Sequence, residues 1–364
     1  MPALSPSSIG FVQEKSYAPF VTAEQSFDLA SLPLKVDVGL RYDRTDVTTG
    51  GIERMPAGLT VEPSDHTAFL FAYTPSQFVT SSNSYHYFLP SLDLNLMVLP
   101  DLKVRFDASR TETKPPISDI TPTLSVNGRV GALVATGNNP DLLPYLSDNF
   151  DLGAEWYYAR NDYLSIDAFF KHVSQFPVNQ TIITAINGVT DPTTGQIAKW
   201  AETTFLNGPT ADVRGVEIGW QQMLWEGFGL QVNGTIVGTN APYNRYALTN
   251  VFAVTGLSNE ANFVGFYQRQ AFQARLAINW RGAELNAFNQ SQNNSQFGTE
   301  PTYVNAQTEV DFSTSYDING HVSVFFEGLN LNDGVYSTHG RFNNQVLDVV
   351  SYGRSFTMGV RAKM

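Results

Sequence analysis

Residues 352–364, YGRSFTMGVRAKM, alternate between apolar and polar side chains. Successive side chains of an extended strand point to opposite faces. Such a strand would have an apolar face with Phe356, Met358, Val360, Ala362 and Met364, and an opposite face with Ser355, Thr357, Gly359, Arg361 and Lys363. This pattern suits a strand between lipid and a wet lumen, although a soluble sheet can show it too.

The composition favours a single all-β unit. Of the 364 residues, 13% are aromatic and 15% are charged, and no linker separates segments of different composition. The absence of cysteine excludes disulfides and thiolate metal sites. The net charge of -12 argues against nucleic acid as a partner, because phosphate-binding surfaces are basic. No window of about 18 apolar residues predicts a membrane-spanning helix, but a barrel crosses with short alternating segments instead.

Alternation with period two recurs in about thirteen segments, among them residues 34–47, 102–113 and 272–281. The connections between these segments alternate between tight turns and long loops. The predicted turns are 28–33, 100–101, 159–162, 225–227, 270–271 and 318–320. The predicted loops are 48–84, 114–147, 174–212, 241–259, 284–304 and 332–350. Short periplasmic turns and long extracellular loops predict an antiparallel transmembrane β-barrel; a soluble β-sandwich or propeller is the alternative.

Four motifs carry a resemblance to a known family. They are GNNPDLLPYLSDNFDLGAEWYY (137–158), DVRGVEIGWQQML (212–224), VSVFFEGLNLND (322–333) and the terminal YGRSFTMGVRAKM. In combination, and over essentially the whole chain, they resemble TonB-dependent outer-membrane receptors. The resemblance implies an N-terminal plug inside a barrel of about 22 strands. It also implies import of a scarce ligand with energy passed from the inner membrane.

The sequence departs from this family pattern at its N-terminal end, where no plug or energy-coupling box is visible. Counting back through thirteen strands places the residues before Tyr17 at the extracellular rim, whereas complete bacterial barrels have an even number of strands and periplasmic ends. We therefore expect residues 1–364 to be the C-terminal barrel portion of a larger receptor, with the plug domain absent. Its first strand would then lack an upstream partner.

The long loops contain the candidate ligand-binding residues. Aromatic faces and planar guanidinium groups suit sugars or aromatic chelates, although aromatic side chains in loops also pack the loops themselves. The candidates are Trp200, Phe205, Tyr243, Arg245, Tyr246, Phe297, Tyr303, Tyr336, His339, Arg341 and Phe342.

The closing strand has a second implied role. Thr357, Gly359, Ala362 and Met364 fit the spacing that the barrel-assembly machinery recognises in the family, with Met364 in place of the usual final aromatic residue. The same spacing also suits a strand that simply closes the barrel seam.

Enzyme signatures are missing from the sequence. The five histidines have no metal-ligand spacing, and there is neither a G-x-S-x-G elbow nor a Walker loop. We therefore predict no catalytic residues, metal or cofactor, and we expect the charges on the polar strand faces to pair across neighbouring strands.

The sequence predicts a receptor in the Gram-negative outer membrane for a siderophore, a cobalamin-like molecule or an oligosaccharide. A passive diffusion channel and a structural or adhesive β protein that never inserts remain alternatives. The expected partners are outer-membrane lipid, the barrel-assembly machinery, the small-molecule or oligosaccharide ligand and, only through the missing plug, TonB.

Overall fold

The computed structural model describes residues 10–247, 252–290 and 300–362. These residues form one helical turn, α1 (Ile117–Ile120), and 24 strands. The strands are β1 (Gly10–Tyr17), β2 (Phe20–Leu29), β3 (Leu32–Glu53), β4 (Pro56–Val61), β5 (Phe69–Tyr73), β6 (Gln77–Leu99), β7 (Leu102–Thr113), β8 (Leu124–Arg129), β9 (Ala132–Gly137), β10 (Tyr145–Ala159), β11 (Asp162–Ser174), β12 (Pro177–Thr184), β13 (Trp200–Asn207), β14 (Ala211–Met223), β15 (Phe228–Thr239), β16 (Glu260–Arg269), β17 (Phe272–Arg281), β18 (Glu284–Gln290), β19 (Glu300–Val304), β20 (Gln307–Asp317), β21 (Val322–Leu329), β22 (Val335–His339), β23 (Val346–Ser351) and β24 (Ser355–Ala362). Within the described ranges, no helix has the length and apolar character needed to span a bilayer.

One antiparallel sheet dominates the fold. It contains 14 strands in the order β1, β3, β6, β7, β10, β11, β14, β15, β16, β17, β20, β21, β24, with β2 also paired to β3. Since β1 pairs with residues 44–51 of β3 and β2 with residues 32–41, these two strands lie end to end and occupy one position. The sheet therefore has 14 − 1 = 13 strand positions, as the sequence predicted.

The two faces of the sheet differ as the alternation predicts. Along β11, Ile166 is 46% exposed on one face, in register with Ile218 of β14, whose exposure is 45%. On the other face, Arg105 forms ion pairs of 3.2 Å with both Glu155 and Asp167 from neighbouring strands. Apolar side chains that remain exposed on one continuous face indicate contact with lipid, and the charged face is the wet one.

The closing strand, β24, pairs with β21 and retains its predicted alternation. Its apolar face is highly exposed, with Met358 at 84%. Gly359 lies opposite Phe325, and a Cβ added at this glycine would stand 2.7 Å from the phenyl ring. A larger residue at position 359 would therefore displace the Phe325 ring, so packing favours glycine here independently of any assembly signal. Met364, the last residue of the predicted assembly signal, lies outside the described residues.

Two strands extend much further than the sequence predicted. β3 has 22 residues and β6 has 23, and they remain paired up to Glu53 and Gln77. Residues 48–53 and 77–84 were expected to lie in a loop because they are polar and rich in glycine, serine and threonine. Their strand structure depends on a partner distant in sequence, which local composition does not reveal.

The other long connections fold into small sheets instead of irregular loops. One contains β12, β13, β9 and β8, a second contains β18, β19, β22 and β23, and β4 pairs with β5. These sheets lie at the end of the barrel strands opposite the tight turns, which is the extracellular end of the predicted barrel. They hold most of the candidate ligand-binding residues.

A charge on the lipid-facing side should prevent stable insertion. Ile166→Arg places a cation near the middle of the apolar face, and we expect it to lower the free energy of unfolding in lipid by about 2–4 kcal/mol. Ser165→Arg is the matched control, because the adjacent side chain faces the wet lumen opposite Glu155. Heat-modifiable migration and denaturant unfolding in lipid vesicles measure the difference. Equal stability of the two variants would contradict the assignment of the faces.

Candidate ligand-binding site

Two extracellular hairpins, β18–β19 and β22–β23, join edge to edge to form the base of the candidate site. The contact between them is made by Tyr303 opposite His339 and Val304 opposite Thr338. The two hairpins come from the predicted loops 284–304 and 332–350, so the pairing brings together side chains far apart in sequence. This junction fixes the positions of Tyr303 and His339 by backbone hydrogen bonds.

An aromatic stack extends from this junction. The rings of Tyr303 and His339 are stacked, with centroids 5.1 Å apart and planes inclined by 14°. Tyr243, from the connection after β15, lies 6.4 Å from Tyr303 and 5.4 Å from Phe288, the latter edge-on. Offset and edge-to-face contacts of this kind stabilise aromatic clusters beyond the burial of area alone. Three loops therefore meet at one set of rings.

Arg341 holds the three loops together. Its guanidinium forms a two-point ion pair with Glu300, with Nε–Oε2 and Nη2–Oε1 distances of 2.8 and 2.9 Å. Nη1 donates to the carbonyl oxygens of Arg245 and Ala247 at 2.9 and 2.5 Å, and the guanidinium lies 5.7 Å from the centroid of the Tyr243 ring. The side chains of Arg341 and Glu300 are only 14% and 19% exposed. A planar group with five donors suits this role, which lysine could not fill.

Apart from the Arg341–Glu300 ion pair and the exposed cation Arg245, the side chains of the cluster are uncharged near neutral pH. Burial lowers the pKa of His339, and the positive charge of Arg245 lowers it further, with a smaller opposing hydrogen bond from Asn343. Burial also raises the pKa of Tyr243 and of Tyr303, so both phenols stay protonated near neutral pH. Among the residues that the structure describes, none forms a hydrogen bond with the buried Nδ1 atom of His339. The cluster can thus offer aromatic faces, phenolic hydroxyl groups and a neutral imidazole.

The structure brings five of the candidate residues into this cluster and distributes the others. The five are Tyr243, Arg245, Tyr303, His339 and Arg341. Tyr246 is 78% exposed beside the cluster, with its ring 6.4 Å from that of Phe342. Tyr336 lies on β22 opposite Val350. Phe297 lies outside the described residues.

Trp200 and Phe205 belong to a different loop sheet, where they pack hydrophobic cores. Trp200 is completely buried in a cluster that includes Leu133 and Ile186. Phe205 packs against a second cluster around Leu142. These contacts correspond to the structural role that aromatic residues in loops often have, and we leave both residues out of the proposed site.

Glu300 and Phe288 belong to the cluster but were absent from the sequence-based list. Glu300 is 41 residues from its partner Arg341, so no local spacing connects them. Phe288 is one of many aromatic residues in the predicted loops, and nothing in the sequence distinguishes it from the others. Within the described part of the chain, no group of three histidine or acidic residues is arranged to hold a metal ion.

Comparison with known proteins shows which of them share this fold. The family model described as TonB dependent receptor-like, beta-barrel, matches residues 2–331. No curated protein matches the chain significantly. Three examples of solved structures with this fold follow, and each comparison covers nearly all of this chain but about half of the receptor.

The first is the siderophore receptor PirA of Acinetobacter baumannii, with a TM-score of 0.59 and 13% identity over 96% of this chain and 55% of that receptor. A mutant ferric enterobactin receptor of Pseudomonas aeruginosa, in complex with enterobactin, has a TM-score of 0.58 and 12% identity over 96% and 54%. The ferric yersiniabactin uptake receptor FyuA of Yersinia pestis has a TM-score of 0.58 and 15% identity over 97% and 46%.

Replacement of the guanidinium should loosen the three loops. Arg341→Lys keeps the charge but loses the two-point geometry and the carbonyl contacts, so we expect local opening of residues 335–351 to become easier by about 2 kcal/mol. Amide hydrogen exchange of that segment measures the change. The control Arg269→Lys affects an exposed pair with Glu226 at a tight turn and should alter exchange little. Unchanged exchange in Arg341→Lys would contradict the bridging role.

The buried histidine should make the same segment sensitive to acid. Because the pKa of His339 is lower when the loops are packed than when they are open, protection is complete above its ordinary pKa of about 6.5 and decreases as pH falls below it. Hydrogen exchange of residues 335–351 between pH 8 and about 5 tests this. His339→Phe should remove the pH dependence of exchange. If the pH profile of this variant equals that of the wild type, the dependence comes from another group.

Proposed function

Because the chain belongs to the TonB-dependent receptor-like β-barrel family, we propose that it takes part in energised uptake of a small ferric chelate. The protein is an outer-membrane receptor barrel, not an enzyme. The finer statements, which concern the ligand, the site and the energy source, are our proposals. The chain spans about half the length of the receptors it resembles. We accordingly assign it the C-terminal barrel portion of such a receptor, which a plug domain and TonB would complete.

The observation that carries the proposed ligand class is the extracellular cluster of Tyr243, Tyr303, His339 and Arg341. Its stacked rings provide flat apolar faces, and its protonated phenols provide hydrogen-bond donors for ligand oxygens. The charge of Arg341 is already paired with Glu300. The exposed cation Arg245, which lies close enough for its charge to act on Tyr303 and His339, suits a chelate with net negative charge. Aromatic siderophores combine these properties, since planar rings and anionic oxygens surround the metal.

The solved relatives agree with this ligand class but do not assign it. The receptor from P. aeruginosa binds enterobactin in its structure, and the one from Y. pestis takes up ferric yersiniabactin. At 12–15% identity, these similarities support the fold, whereas the ligand-contacting loops differ between receptors. The loop cluster of this chain therefore has to be tested directly.

Binding of ferric enterobactin to the protein produced from its complete gene and purified in mild detergent tests the proposal. We expect saturable quenching of tryptophan fluorescence. Tyr303→Ala should weaken binding by about tenfold or more, since it removes a ring and a donor. Tyr303→Phe, which keeps the stack, should have a smaller effect. Tyr352→Ala, at a tyrosine that is 79% exposed outside the cluster, is the matched control.

Two outcomes would contradict the proposal. One is saturable binding of cobalamin or an oligosaccharide with no binding of ferric chelates, which would reassign the ligand. The other is uptake of radioactive iron from ferric enterobactin at the same rate in cells with and without TonB, which would indicate a passive channel. Binding unaffected by Tyr303→Ala would keep the function but move the site.

A further inference from the structure

Three extracellular connections pack into one body, which we call the cap. They are the connections from β3 to β6, from β7 to β10 and from β11 to β14, residues 54–76, 114–144 and 175–210. Strand β9 of the second connection pairs in parallel with β13 of the third. Trp200 of β13 shares a buried hydrophobic cluster with Leu59 and Phe69 of the first. Segments distant in sequence therefore share one core.

The cap lies against the lumen face of the barrel wall. Tyr85 is on the same side of β6 as Asn95, which lies opposite Arg105 on the charged lumen face, because an even number of residues separates the two. Tyr85 belongs to a second buried cluster, which joins β3 and β6 to the cap. Its members are Val47, Tyr85, Ile120 and Leu142, with exposures of 5%, 6%, 3% and 2%.

Side-chain amides hold the second and third connections together. Asn207 accepts a hydrogen bond from the backbone N–H of Leu143 at 3.0 Å. It donates to the carbonyl oxygens of Leu143 and Gln175 at 2.9 and 3.1 Å. Asn139 donates to the carbonyl oxygen of Phe205 at 3.0 Å. Short side chains that bond directly to backbone groups leave the two connections little freedom to separate.

Polar contacts also hold the cap on the barrel strands. Asn83 of β6 donates to the carbonyl oxygen of Leu142 at 3.3 Å. Lys114, at the start of the second connection, forms an ion pair of 3.3 Å with Glu14 of β1. The cap is therefore attached to the barrel both through its buried cluster and through hydrogen bonds beside that cluster.

Opening of the cap would break these contacts together. It would expose both hydrophobic clusters to water and leave Asn207 and the backbone of Leu143 without their partners, and both changes are unfavourable. The ligand-binding cluster is held in a different way, by two residue pairs between its hairpins, by ring contacts and by the Arg341–Glu300 ion pair. A segment with fewer buried apolar contacts opens more easily.

We infer that the cap is a permanent part of the lumen wall. It stays packed against β3 and β6 while a ligand enters, so the ligand passes beside it. The loop movement that admits the ligand occurs in the hairpins of the ligand-binding cluster. This inference rests on the proposed function, because it concerns the route of the ligand. It also sets the order of opening in the free protein, which can be measured without a ligand.

Cross-linking of the cap to the barrel wall tests the inference during uptake. Residues 1–364 contain no cysteine, so Asn83→Cys/Asp141→Cys introduces one reactive pair into them, beside the contact of Asn83 with Leu142. The protein is produced from its complete gene, and a short bismaleimide links the pair on intact cells. Mass spectrometry of the linked peptides gives the extent of linkage, and the wild type with the reagent is the control. Uptake of radioactive iron from ferric enterobactin should proceed at the same rate with and without the link.

The matched variant is Tyr246→Cys/Phe342→Cys, which links two connections of the ligand-binding cluster where the rings lie 6.4 Å apart. We expect its link to slow uptake, because these connections have to move. The inference is wrong if the cap link slows uptake, or if neither link changes it.

Hydrogen exchange of the ligand-free protein separates a failure of this inference from a failure of the proposed function. If wild-type cells take up no iron from ferric enterobactin, the proposed ligand is wrong, and exchange alone decides about the cap. The amides of β9 and β13 should exchange more slowly than those of β19 and β22. Asn207→Ala should speed exchange in β13 and leave β22 unchanged. Equal protection of the two sheets, or faster exchange in the cap, would overturn the inference.

Discussion

The pairing of every backbone N–H and C=O group inside the bilayer is the constraint on which this structure depends. Lipid offers no hydrogen-bond partner, so each strand of the barrel needs neighbours along its membrane-spanning length. The strands from β3 to β21 meet this requirement with an antiparallel neighbour on each side, connected alternately by tight turns and by the longer extracellular segments. Once the backbone is fixed in this way, side chains alternate between lipid and lumen with no further freedom. The positions of Ile166 and Asp167 on opposite faces follow directly.

This constraint explains why the barrel strands could be predicted from the sequence and the extracellular sheets could not. A strand between lipid and water must alternate, so its pattern is local and visible, as in β7 or β24. The extensions of β3 and β6 above the membrane face water on one side and other loops on the other, and they lose that pattern. Tyr85, for example, is buried although its sequence neighbours are mostly polar. Its burial depends on residues of the connection from β7 to β10, such as Leu142.

The candidate site could be predicted from the sequence even less completely than the extracellular sheets. Residue type suggested Tyr243, Tyr303, His339 and Arg341, because rings and guanidinium groups suit ligands, but the same criterion suggested Trp200, which fills a core. What distinguishes them is pairing between hairpins, such as Tyr303 with His339, and the ion pair of Arg341 with Glu300. These are contacts over long stretches of chain, and a single sequence has no periodicity that reports them. The loops thus gain a fixed geometry from a few polar and aromatic contacts rather than from a lipid boundary.

Charged side chains have different physical roles in the three environments of this protein. In the lumen, Asp37, Asp93, Asp107 and Asp151 lie directly opposite one another on successive strands, an arrangement that is unfavourable for like charges. Water in the lumen weakens this repulsion, and Lys35, 3.3 Å from Asp37, offsets part of it at one end of the row. In the extracellular loops, the Arg341–Glu300 pair is shielded from water, so geometry matters more than charge alone.

At the outer rim, the charged side chains stay exposed to their surroundings. Asp46 lies directly opposite Lys15 and 3.4 Å from Arg44, whose side chain is 55% exposed. An exposed pair of this kind contributes little to stability, because water solvates both groups and salt screens them. The distribution of charge therefore follows from what surrounds each surface of the barrel: water in the lumen and at the rim, and packed side chains in the extracellular loops.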